Sequence, residues 1–177
     1  QGAMAAAAVT MTEAKTAALQ HLAVRSLYSP DFATGTTTDQ YCIASPQTGT
    51  FTLKSTSTGV QLGELIGRAV RDATLEALRW QNGLEISYTR NIFHALGNYG
   101  LKEKTFFDDI APFLDERNLE LLKANCNSVF YEPLMAAAAY AAAGVLDRLR
   151  AGTLPPDTAK EVLRQQAATM ATNLAAP

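Results

Sequence analysis

Cysteine is almost absent from this chain: among 177 residues there are two, Cys42 and Cys126. A disulfide scaffold carries more cysteines in a shorter sequence. With two histidines, His21 and His94, far apart and no Cys-x-x-Cys pair, no metal site is expected. Basic surplus is missing too, because 15 Lys and Arg stand against 17 Asp and Glu for a net charge of -2. That argues against a nucleic-acid partner, which selects a basic patch or stripe. Nor is there an uncharged apolar run of about 18 residues, as a membrane helix requires. The nearest candidate, Leu134 to Leu146, is short and mostly alanine. What is present is a hydrophobic fraction of 47%, enough for a core in one domain-sized chain. The composition reads as a protein of a reducing compartment, the cytoplasm, that touches neither nucleic acid nor membrane.

The chain divides by pattern. Gln1-Gly2-Ala3-Met4 resembles the scar of a cleaved tag, and residues 1–8 are set aside as scar and leader, with no basic segment or apolar run to make Ala5–Ala8 a signal peptide. Thr10 to Leu22 reads as a helix, with Thr10 or Thr12 as cap and Glu13 in its first turn. Between Thr34 and Thr58 there are nine threonines and few charges. Thr38–Ala44 and Thr50–Lys54 read as two strands joined by a turn at Ser45–Gly49. A lone hairpin is not stable, so it must pack on helices or join a larger sheet. Leu62 to Gln81 has the strongest helical period, ended by Asn82-Gly83. Further helices are predicted from Ser87 or Thr89 to Gly97, over Thr105–Leu114 and Glu116–Ala124, from Pro133 to Arg150, and from Pro155 to about Leu174. The expected fold class is α+β: helix-rich, with a small sheet between two helices in residues 9–83 and an all-helical tail in residues 84–177.

Chemistry concentrates in three places. In Ala33-Thr34-Gly35-Thr36-Thr37-Thr38-Asp39 a glycine permits a tight turn and is followed by hydroxyls and a carboxylate. Such a loop suits oxyanion binding by backbone N–H groups, a threonine nucleophile, and Asp39 as base or orienting group; the plainer alternative is a strand entry with Asp39 capping a turn. Thr12-Glu13-Ala14-Lys15 opens a helix, with Glu13 and Lys15 not facing each other. In Leu62-Gly63-Glu64-Leu65-Ile66-Gly67, two glycines each cost a helix about 1 kcal/mol relative to alanine. They point to close approach of another backbone or a ligand, or to tight helix packing. Trp80 and Tyr140 read as core or interface anchors, and neither cysteine has a histidine nearby in sequence to activate it.

In order and spacing, Met11–Gln20, Ala33–Asp39 and Leu62–Val70, with Tyr28-Ser29 between the first two, resemble the adenosylcobinamide amidohydrolase family. The resemblance covers about Val9 to Gln81 and continues more weakly through Ile92–Leu101. It implies corrinoid salvage: hydrolysis of the amide joining the aminopropanol arm to the corrin ring, with a corrinoid as substrate or ligand and no further cofactor. On this reading Thr36, Thr38, Asp39, Glu13 and Lys15 are the catalytic candidates, and Thr34, Gly35, Thr37, Gly63, Glu64 and Gly67 the substrate-binding ones. Two positions depart from the family pattern: Thr37 stands where a glycine precedes the Thr-Asp pair, and Ser57–Gln61 replaces a Gly-Lys-His-like motif. A strand-rich portion that precedes the first helix in the family is not found, so the resemblance is read as covering the family's C-terminal portion only. The alternative function is a non-catalytic binding or assembly subunit, a homo-oligomer or one paired with a partner chain supplying the strands, with the alanine-rich Leu134–Gly144 segment as its helix contact.

Overall fold

The computed structural model describes residues 2–37, 39–46, 48–49 and 54–175. It is all-α: the described residues form helices and irregular segments, with one isolated antiparallel bridge between Arg25 and Phe32. This corrects the α+β expectation. Residues 39–44 are described and are not a strand, while residues 50–53 of the second expected strand lie outside the described residues.

The chain forms two compact units, Gln1–Glu85 and Ile86–Pro177. In the first, α1 (Gly2–His21) packs along α2 (Gln61–Asn82). The first helix includes residues 2–8, which sequence reading set apart from the fold. Of its buried side chains, Ala7, Thr10, Ala14 and Ala18 recur at three- and four-residue spacing and are small, with Leu19 the one large member, which lets a second helix come close. Opposite them, a Cβ at Gly67 would sit 3.8 Å from Thr10 Cγ2, an ordinary contact. Gly63 is different: a Cβ there would lie 1.8 Å from the Ser57 carbonyl oxygen. Of the two glycines, the close approach foreseen therefore holds at Gly63, and it is that of this chain's own backbone at 56–57.

Both helices end in left-handed turns. After α1, Ala23 has φ 52° and the Val24 N–H donates to Leu19 O at 2.9 Å. After α2, Gly83 has φ 64°, with its N–H on Arg79 O and that of Leu84 on Leu78 O. Thr10 is not the expected cap but a buried member of α1, and its hydroxyl donates to Thr56 O at 3.0 Å. The Thr56 hydroxyl in turn donates to Ala3 O. The described parts of 34–58 are thus strapped to α1 by side-chain hydrogen bonds instead of pairing with each other.

The described residues of the second unit form helices joined by turns and short irregular links: α3 (Ile86–Thr89), α4 (Ile92–Leu96), α5 (Phe106–Ile110), α6 (Glu116–Ala124), α7 (Cys126–Phe130), α8 (Pro133–Arg150) and α9 (Pro156–Ala175). Its core gathers Ile92, Ala95, Phe130, Met135 and Ala139, with the Phe93 and Phe106 rings edge-on to Phe130 at 4.8 and 5.0 Å. The alanine-rich stretch of α8 is covered from within: Ala136, Ala138, Ala139, Ala142 and Ala143 are buried where α4 and α9 pack. Tyr140 packs on this core and donates its hydroxyl to Thr89 O. Trp80 is 77% exposed and is no core residue.

Candidate functional site

Lys15 sits in the middle of α1, where helical spacing puts it on one face with Met11 and Leu19. Its ammonium donates to Thr36 Oγ1 at 2.9 Å and forms an ion pair with the Asp39 carboxylate. The Thr36 hydroxyl donates to Asp39 Oδ1, and the Thr36 backbone N–H donates to Oδ2 at 3.3 Å. The loop is held in register from the next residue of α1, where the Thr16 hydroxyl donates to Thr34 O at 2.7 Å. A carboxylate, a hydroxyl and an ammonium therefore meet at one point, brought together from α1 and a segment of no regular structure.

The cluster opens on a groove of about 640 Å³ in the first unit. One side is lined by Met11, Lys15 and Leu19 of α1, another by Val70, Ala73, Ala77 and Leu78 of α2, and Thr36, Asp39 and Tyr41 lie at its rim. The Lys15 and Asp39 side chains are 27% and 35% exposed, so water and a ligand reach them. Burial of its stem lowers the Lys15 ammonium from its ordinary value, while the adjoining Asp39 carboxylate favours the charged form.

The eleven residues singled out from sequence do not converge on one place. Lys15, Thr36 and Asp39 do. Glu13, Gly63, Glu64 and Gly67 line a second groove of about 330 Å³ on another face of α1, together with Arg68 and Arg71. Thr34 contributes its carbonyl, Gly35 and Thr37 are exposed in the loop, and Thr38 lies outside the described residues. Sequence reading missed the apolar wall from α2 and the rim positions Gln40 and Tyr41. The wall was legible in principle, because Val70, Ala73 and Ala77 share the helical period predicted over Leu62–Gln81. Among the described residues no group of His, Cys, Asp and Glu is placed to hold a metal ion, and no helix is long and apolar enough to cross a membrane.

Three comparisons bear on this geometry. Residues 1–86 match the model of a family described as adenosylcobinamide amidohydrolase. An uncharacterized protein of Methanocaldococcus jannaschii is 39% identical over 93 residues, which cover 48% of this chain and 33% of that protein. The chain thus spans about a third of the length of that curated relative. No solved structure matches. The family match lies in the N-terminal part of this chain. That corrects the description of the resemblance as a C-terminal portion, and the weaker likeness over Ile92–Leu101 falls beyond the matched residues.

Proposed function

We propose, because residues 1–86 match the model of the adenosylcobinamide amidohydrolase family, that this chain hydrolyses an amide of a corrinoid, releasing aminopropanol from adenosylcobinamide. The observation that carries the reading is the contact of Thr36 with both Lys15 and Asp39 at the mouth of the groove. All three residues fall inside the matched segment.

Amide hydrolysis needs a base for the attacking oxygen, a proton for the departing nitrogen, and stabilisation of the charge that grows on the carbonyl oxygen. Asp39 is the base, already accepting a hydroxyl proton. The Lys15 ammonium holds Asp39 ionised and adds positive charge beside the reacting centre. The apolar side of the groove, Val70, Ala73, Ala77 and Leu78, receives the face of a large ring while its amide arm reaches the cluster. Concave, mostly apolar surface with few polar groups is the usual make-up of a small-molecule site. The protein acts in the cytoplasm, in keeping with its unpaired thiols at Cys42 and Cys126.

The test is incubation of the purified chain with adenosylcobinamide, followed by mass spectrometry for adenosylcobyric acid and aminopropanol and by the visible spectrum of the bound corrinoid. Product formation is the expected result. A spectral shift without product would overturn hydrolysis in favour of a corrinoid-binding role, and neither product nor shift would overturn both.

A further inference from the structure

The attacking oxygen in an amide hydrolase belongs either to water or to a side chain, and the two leave different intermediates. Among the described threonines of the first unit, five spend their hydroxyls on backbone carbonyls. The Thr16 hydroxyl is shared between Thr34 O and Thr12 O, and Thr12 donates to Ala8 O, four residues back. Thr74 does the same to Val70 O. Thr10 and Thr56 donate to Thr56 O and Ala3 O and are buried. Thr36 is exposed, lines the groove, and places its hydroxyl between an ammonium donor and a carboxylate acceptor.

That arrangement has the parts of an activated nucleophile. The acceptor takes the proton, the donor fixes which lone pair faces outward, and a third contact orients the acceptor, here the Thr36 N–H on Asp39 Oδ2. A purely structural Lys15–Asp39 ion pair would need no hydroxyl shared between its members.

Resting on the proposed amide hydrolysis, we infer that Thr36 is the catalytic nucleophile and that the reaction passes through an acyl ester on its Oγ1. Thr36 Oγ1 bonds to the amide carbonyl carbon as its proton passes to Asp39 Oδ1. The carbon–nitrogen bond then breaks, and the departing nitrogen keeps the electron pair and takes the proton from Asp39. Water next adds to the ester carbon, yielding a proton to Asp39. The ester bond breaks, Thr36 Oγ1 recovers that proton, and the product leaves as a carboxylic acid. Lys15 remains an ammonium throughout and is a positioning residue.

The experiment uses p-nitrophenyl acetate as acylating probe on the full chain, with intact-mass measurement and peptide mapping at short times. One acetyl group on Thr36 is expected, with a burst of nitrophenol matching the enzyme concentration. Thr36→Ser should retain the burst and Thr36→Ala should lose it with an unchanged circular dichroism spectrum. Acetyl found only on Lys15, or no burst, overturns the inference. So does Thr36→Ala hydrolysing adenosylcobinamide at the wild-type rate, an outcome that leaves the amide hydrolysis itself standing. Absence of corrinoid hydrolysis together with a Thr36 burst overturns the corrinoid substrate instead and supports the nucleophile.

Discussion

Lys15 and Asp39 are 24 residues apart in sequence and form an ion pair in the first unit, with the Thr36 hydroxyl touching both. The pair is partly exposed, so it adds at most about 1 kcal/mol to stability. Its value lies in where it holds charge and proton acceptor, at the edge of an apolar groove.

Asp39→Ala is expected to lower turnover of adenosylcobinamide by at least about a hundredfold, the usual contribution of a positioned general base. The melting temperature should hardly move. Quantified aminopropanol release and a thermal scan on the same preparation check both halves, and wild-type turnover would remove Asp39 from the mechanism.

The pH dependence follows from Lys15. Its charged form donates to Thr36 and pairs with Asp39, so activity falls as pH rises and the ammonium is lost. Burial lowers that transition from the ordinary lysine value. Lys15→Arg keeps a cation to far higher pH, so its alkaline limb should disappear from the accessible range, at a lower plateau rate because the guanidinium has another shape. A profile of kcat/KM against pH for both proteins tests this; identical alkaline limbs would show that Lys15 does not titrate in the reaction.

Gly63 and Gly67 should part company on substitution. Gly63→Ala places a methyl 1.8 Å from the Ser57 carbonyl oxygen, which must displace the backbone at 56–57, a strain of about 1–3 kcal/mol. At Gly67 the nearest atom is 3.8 Å away, and alanine gains up to about 1 kcal/mol of helix propensity. Urea unfolding followed by circular dichroism should therefore show the first variant destabilised and the second neutral or stabilised. Equal effects would contradict the packing described here.

Ala23 adopts the left-handed conformation with φ 52° after α1. A side chain there costs about 1–2 kcal/mol that glycine avoids. Ala23→Gly is expected to raise the stability of the first unit, offset in part by the greater freedom of glycine in the unfolded chain. A lowered urea midpoint would mean that the Ala23 methyl makes a contact worth more than the strain it carries.

The periodic segments were legible because their signals are local. The apolar stripe of 62–81 with Asn82-Gly83 behind it specifies α2, and Pro133 and the alanines specify α8, since propensity and capping act within a few residues. The threonine-rich stretch from Thr34 to Thr58 misled for the same reason. β-Propensity records how well a side chain fits a pleated, half-buried surface, and among the described residues there is no sheet to provide one. Instead Thr10, Lys15 and Thr16 of α1 reach the segment and bind its backbone and side chains. Sequence by itself determined the helices and the residue types able to do acid–base chemistry. Only the tertiary structure decided that Lys15, Thr36 and Asp39 meet while Glu13 and Gly63 face another groove. Neighbours two apart on a helix point to different sides, and which side meets the loop is fixed by the packing of α1 on α2.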